Sequence, residues 1–121
     1  MAQPRNDDAS GSGVEKASRI AALNDVFRRS FSSGKVFMTV GVSELPDMVK
    51  ADALHRVATY SEFDKDNDPH GEHDFGSFEL VGRKFFWKID YYDERMEQGS
   101  EDASDPEKTL RVLILMLAHE Y

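Results

Sequence analysis

No cysteine occurs in the 121 residues. That absence removes disulfides, thiolate catalysis and Cys-ligated zinc or iron–sulfur chemistry, and it fits a reducing compartment. Positive charge is also scarce: 15 Lys and Arg stand against 23 Asp and Glu, a net of −8. Proteins that grip nucleic-acid backbones cluster Lys and Arg to release counterions, so no direct nucleic-acid binding is expected. Docking to an anionic membrane surface is disfavoured for the same reason. No apolar run approaches the roughly 20 residues that span a bilayer; the longest is Val112–Ala118. Residues 1–13 have no apolar stretch and carry Asp7 and Asp8, which is not the composition of a secretory signal. The expectation is a cytoplasmic protein with a disordered tail over 1–13 and one domain over 14–121.

The hydrophobic pattern predicts a helix over Val14–Phe31, with Ala17, Ile20, Leu23, Phe27 and Phe31 inward and Arg19, Arg28 and Arg29 on the surface. Lys35–Val42 alternates as a strand should. Pro46 then introduces a helix over Asp47–Tyr60 that turns Met48, Ala51, Leu54, Val57 and Ala58 inward. After a polar loop, Ser61–Asp74, two strands at Phe75–Val81 and Lys84–Tyr92 meet at a Gly82–Arg83 turn. On the second of these, Phe85, Trp87, Ile89 and Tyr91 share one face, and Phe86, Lys88, Asp90 and Tyr92 the other. Asp105 as cap and Pro106 at the first helical position predict a closing helix over Pro106–Glu120. Its apolar residues leave room for contact with a second copy, a homodimer. The order is α-β-α-β-β-α: an α+β domain with a three-stranded, mostly antiparallel sheet packed against helices. There are no internal repeats and no Gly-rich phosphate loop.

RIAALNDVFRRSF, VFMTVGV, NDPHGEHDFGSFEL, FFWKIDYYD and DPEKTLRVLILMLAHEY together resemble an uncharacterised family of small bacterial proteins. That family is a domain of unknown function, common in alphaproteobacteria and often carried on plasmids and other mobile elements. The resemblance runs from about Ser18 to Tyr121, and NDPHGEHDFG and FWKIDYYD are its specific motifs. It implies an intracellular protein of an accessory gene set. It brings no established activity, so no catalytic role is carried over.

Ionisable groups concentrate on either side of the hairpin. Glu62, Asp64, Asp66, Asp68, Glu72 and Asp74 precede it, and Asp90, Asp93, Glu94, Glu97, Glu101, Asp102, Asp105 and Glu107 follow. His70 and His73, with Glu72 or Asp74 beside them and Asp90 or Asp93 as a further donor, are of the type that holds a divalent metal. Against this, Asp68–Pro69–Gly71 is also the composition of an ordinary turn, with Gly71 at positive φ. Asp64, Asp66 and Asp68 have the spacing of a calcium-loop start, yet Pro69 and Phe75 stand where that loop needs Gly and Glu. Lys88 and Asp90 are neighbours on one strand face. They read either as a salt bridge or, with His73 across the hairpin, as an acid–base group. The aromatic face of Phe85, Trp87, Ile89 and Tyr91 reads as core rather than as a base-stacking platform.

Two functions follow. The leading one is an interaction protein that presents an acidic and aromatic surface to a basic, nucleic-acid-binding or host-defence protein. That surface would comprise Asp64, Asp66, Asp68, His70, Glu72, Asp74, Tyr91, Tyr92 and Asp93, and it needs no cofactor. The alternative is a metal-assisted hydrolase or other small enzyme. There His70, His73 and Asp74 or Glu72 hold the ion while His73, Lys88 and Asp90 serve catalysis.

Overall fold

The computed structural model describes the backbone of residues 5–121 and the side chains from Gly13 onward. Of the tail expected at 1–13, residues 1–4 lie outside those described, and the backbone of 5–13 is the first part of a helix. Helix α1 (Arg5–Ser30) leads to strand β1 (Gly34–Met38), a single turn α2 (Val40–Ser43) and helix α3 (Asp47–Thr59). Strands β2 (Phe75–Leu80), β3 (Arg83–Tyr92) and β4 (Leu110–Leu117) follow, and a 3-10 turn, Ala118–Glu120, comes last. None of the described helices is long and apolar enough to cross a membrane.

The fold is α+β, with a correction to the sheet. It has four strands in the order β1-β4-β3-β2, β1 pairing parallel with β4 and the other pairs antiparallel. The closing segment is therefore a central strand and not a helix. LRVLILML is apolar on nearly every residue because this strand buries side chains on both faces of the sheet. Leu113, Leu115 and Leu117 face the helices, while Val112 and Met116 are buried on the opposite side. A continuous apolar run of this length does not by itself separate a buried helix from a buried strand. The expected helix cap is used differently: Asp105 Oδ1 accepts the Glu107 amide at 2.9 Å and closes a turn.

The expected strand Lys35–Val42 ends at Met38, because Val40–Ser43 coils into α2, burying Val42 completely. On α3 the inward stripe is Val49, Ala53 and Val57 with Leu54. Met48 is 84 % exposed and Ala51 lies on the surface, so the inward stripe is a strict four-residue step rotated away from the one expected. The core joins these residues to Phe27, Phe85, Trp87, Ile89 and Leu113. Phe85, Trp87 and Ile89 are core residues as the alternation of β3 implies.

Leu80 pairs with Arg83, so the two turn residues are Val81 and Gly82, not Gly82 and Arg83. Both take positive φ, 49° and 75°, the geometry whose twist matches a two-residue hairpin. Gly82 adopts it freely, whereas a β-branched residue such as Val81 is strained there. Val81 is also 62 % exposed, so its side chain contributes little packing in return. Replacing Val81 by Asn should therefore raise unfolding stability by about 1 kcal/mol. Chemical denaturation measures this directly, and a lower midpoint for Val81→Asn would contradict the strain.

Candidate functional site

The segment Ser61–Asp74 is held against α1 and β3 by its own ionisable groups. Asp68 turns the chain: its carboxylate accepts the amides of Glu72 at 3.1 Å and His73 at 3.2 Å, and the Gly71 amide bonds its carbonyl at 3.0 Å. Gly71 then takes φ 69° and His73 φ 57°. The turn aims the His73 ring at α1, where Nδ1 lies 3.1 Å from both oxygens of Asp25. The ring stacks flat on Phe63, centroids 4.0 Å apart, and its Nε2 is 3.8 Å from Asp68 Oδ2.

Beside it lies a buried polar chain. Arg111 on β4 donates through Nε to Asn24 Oδ1 at 2.6 Å and through a terminal nitrogen to the Ala103 carbonyl at 2.6 Å. Asn24 donates onward to the Glu72 carbonyl and to the Tyr91 hydroxyl, both at 2.9 Å. Tyr91 in turn donates to the Glu72 carboxylate at 2.9 Å. The Arg111 guanidinium sits over the Tyr91 ring, 5.3 Å from its centroid. Burial, reinforced by the nearby Asp74 and Glu72 charges, pushes the Tyr91 hydroxyl far above its ordinary range. Burial lowers Arg111, opposed by Tyr91 and Glu72.

Arg28 was expected on the surface and is only 4 % exposed. It donates to the carbonyls of Val57 at 2.6 Å and Tyr60 at 3.1 Å and pairs with Asp25 at 2.6 Å. Its guanidinium lies over the Trp87 and Phe63 rings, where a cation is attracted by the aromatic quadrupole. Asn24, Asp25, Arg28 and Arg111 are the polar positions that sequence reasoning missed. One signal was available: Asn24 and Arg28 sit four residues apart on the same stripe as Ile20 and Phe27.

The remaining candidates are dispersed. Asp64 Oδ1 accepts the amides of Asp66 and Asn67 in a local turn, and Asp66 and His70 are exposed. Asp74 is half-buried; burial, then repulsion from Glu72, raises its pKa. Lys88 and Asp90 form a 3.2 Å ion pair on the sheet face opposite Trp87. His73 packs on the helix side, so the sheet separates it from Lys88 and Asp90. Tyr92 lies on the Lys88 side and Tyr91 inside the polar chain. Among the described residues no group of three or more His, Asp or Glu is placed to hold a metal ion. His70, His73, Asp74 and Glu72 are thus not brought together as a ligand set.

Two concavities stand out. A groove of ≈ 400 Å³ is lined by Asp25, Arg28, Arg29, Tyr60, Phe63 and His73, among others. A depression of ≈ 440 Å³ lies in the loop between β3 and β4, lined by Asp93, Glu94, Gln98, Gly99, Glu101, Glu107 and Lys108. Its backbone is fixed by short bonds, including Glu97 N–H to Asp93 Oδ1 at 2.9 Å and Thr109 Oγ1 to the Asp102 carbonyl at 2.8 Å. Backbone amides, that of Glu97 first, hold the Asp93 carboxyl below its ordinary range. None of the acids at Glu62–Asp74 lines this depression.

Residues 38–120 match the family model described as Protein of unknown function (DUF3768). The chain belongs to that family. No curated protein and no solved structure matches it. The matched stretch of this DUF3768 protein contains Glu72, His73, Tyr91 and Arg111, whereas their partners Asn24 and Asp25 precede it.

Removing the Asn24 amide strands the buried Arg111 Nε and the Glu72 carbonyl. Asn24→Ala should therefore cost about 2–3 kcal/mol; a loss below half a kcal/mol in urea melts would show the chain to be dispensable. Asp74 supplies a pH signature. Its folded pKa lies above the ordinary 3.8, so between the two values the folded state binds more protons than the unfolded one. Its contribution is fully present below that range and is lost as pH rises through the folded value. The stability of Asp74→Asn relative to wild type should thus improve with rising pH and then level off. A difference constant from acid to neutral pH would contradict this.

Proposed function

We propose that this is a small acidic interaction protein of a bacterial accessory or mobile-element gene set, acting in the cytoplasm by docking a basic segment of another protein. The observation that carries the reading is the β3–β4 depression. Asp93, Glu94, Glu101 and Glu107 line it with Lys108 as the one cation in its lining, and Lys108 is already 3.4 Å from Glu101. A mostly acidic lining attracts a cationic partner and steers it to the surface. The net charge of −8 favours the same class of partner and disfavours nucleic acid itself. A nucleic-acid-binding or host-defence protein is the partner type that such a surface would block.

The residues that clamp the Ser61–Asp74 loop onto α1 and β3 are not available to a partner. Glu72, His73, Tyr91 and Arg111 already spend their polar atoms on one another and on α1. The enzyme reading retains one favourable observation, the His73–Asp25 pair beside the ≈ 400 Å³ groove. It predicts a sharp loss at His73 alone.

An arginine-rich peptide is a direct probe. Calorimetric titration should give binding that weakens steeply from low to physiological salt. Neutralising Glu94, Glu101 and Glu107 together to Gln should weaken it at least tenfold without altering the circular dichroism spectrum. Binding that ignores both salt and this triple substitution would sink the proposal.

A further inference from the structure

The two edges of the sheet are treated differently. At the β2 edge the pairing to β3 uses alternate residues, and the Ile89 amide bonding to the Asp74 carbonyl sets the phase. Ser77 and Glu79 therefore turn their backbones outward. Arg56 of α3 donates to the Glu79 carbonyl at 3.2 Å, so the helix meets part of that edge.

At the β1 edge the Thr39 amide bonds the Leu115 carbonyl. The same alternation commits Lys35 and Phe37 to β4 and turns the N–H and C=O groups of Gly34, Val36 and Met38 away from the sheet. Among the described residues no backbone or side-chain partner meets these outward groups. Phe37 is 48 % exposed alongside them, next to Ile114 on the face away from the helices. No acidic residue occurs from Val26 to Ser43, and the one carboxylate that reaches the end of this edge, that of Glu120, is engaged by the Thr39 hydroxyl and the Gly41 amide.

We infer that β1 is a self-association edge, pairing antiparallel with β1 of a second copy about a twofold axis at Val36. The register is self-consistent. Val36 opposite Val36, and Gly34 opposite Met38, are the hydrogen-bonded pairs, and these are the residues whose backbone groups point outward. The intervening pairs set Lys35 of one copy directly across from Phe37 of the other. An ammonium then lies against an aromatic ring, and the two lysines stand only diagonally to each other. The exposed ring is covered, no acid is buried, and two four-stranded sheets become one continuous sheet. A second copy fits better than an unrelated strand because each side chain at the edge finds its complement in the same sequence.

Sedimentation equilibrium over micromolar to sub-millimolar concentrations should show twice the mass of one chain. Val36→Pro removes an outward N–H at a position where edge strands accept proline, at the cost of some packing of the Val36 side chain against the core, and should return the mass to that of one chain. Phe37→Lys changes an exposed side chain, brings like charges face to face and should do the same, which decides the matter should Val36→Pro not fold. A wild-type chain that stays monomeric, or a dimer that persists in folded Phe37→Lys, overturns the inference.

Discussion

Arg111 places a cation on the central strand with almost no access to water, and the surrounding structure accommodates it. A buried charge costs several kcal/mol unless its donors are satisfied and an opposing charge is near. Here the donors go to Asn24 and Ala103, the guanidinium face rests on Tyr91, and the negative charge of Glu72 lies one hydrogen bond further on. These partners come from α1, from both long loops and from β3. One desolvated side chain thereby ties together segments that share few apolar contacts. The loop before β2 has little hydrophobic reason to lie where it does, apart from Phe63. Its position follows from the Glu72 carbonyl and carboxylate and from the His73–Asp25 pair.

The same arrangement explains what was legible in the sequence. Strands β2 and β3 showed themselves by alternation, and the burial of Phe85, Trp87 and Ile89 follows it. α1 and α3 were visible as helices, but their inward residues were partly misjudged. Met48 is large and apolar yet points to water, while Asn24 and Arg28 are polar yet sit in the apolar stripe. Hydrophobicity alone cannot reveal a buried polar group whose partner is 87 residues away, as Arg111 is from Asn24. β4 was hidden for the opposite reason: covered on both faces, it lost the alternation that distinguishes strand from helix. With it went the parallel β1–β4 pairing, because a helix at the end of the chain left no central strand for β1 to join.

Clustered ionisable residues before and after the hairpin are placed in two different ways by the structure. Asp68, Glu72, His73 and Tyr91 face inward and hold the fold, so their charges are spent within the molecule. Asp93, Glu94, Glu101 and Glu107 surround a depression whose lining offers Lys108 alone in return. Composition counts both groups as acidic; only the direction of each side chain separates a clamp from a surface. The matched family segment begins at residue 38, so it contains the clamp's loop and strands but not the face of α1 they close upon. A fragment cut at that boundary would expose Glu72, Tyr91 and Arg111 without Asn24, and with them a buried cation lacking its acceptor.

Edge asymmetry bears on how an acidic surface would be used. Arg56 of α3 meets the Glu79 carbonyl at the β2 edge, which blunts that edge as a template for other strands. Leaving β1 open directs pairing to one place and one register. A twofold axis at Val36 would set two β3–β4 depressions on a single particle. A basic partner that is itself paired, or that carries two basic segments, then meets the second depression at high effective concentration once the first is filled, and the gain in avidity needs no new contact. A monovalent acidic surface of this size, screened by salt, binds weakly. If both proposals hold, duplication through β1 is the physical route from a weak electrostatic contact to a selective one.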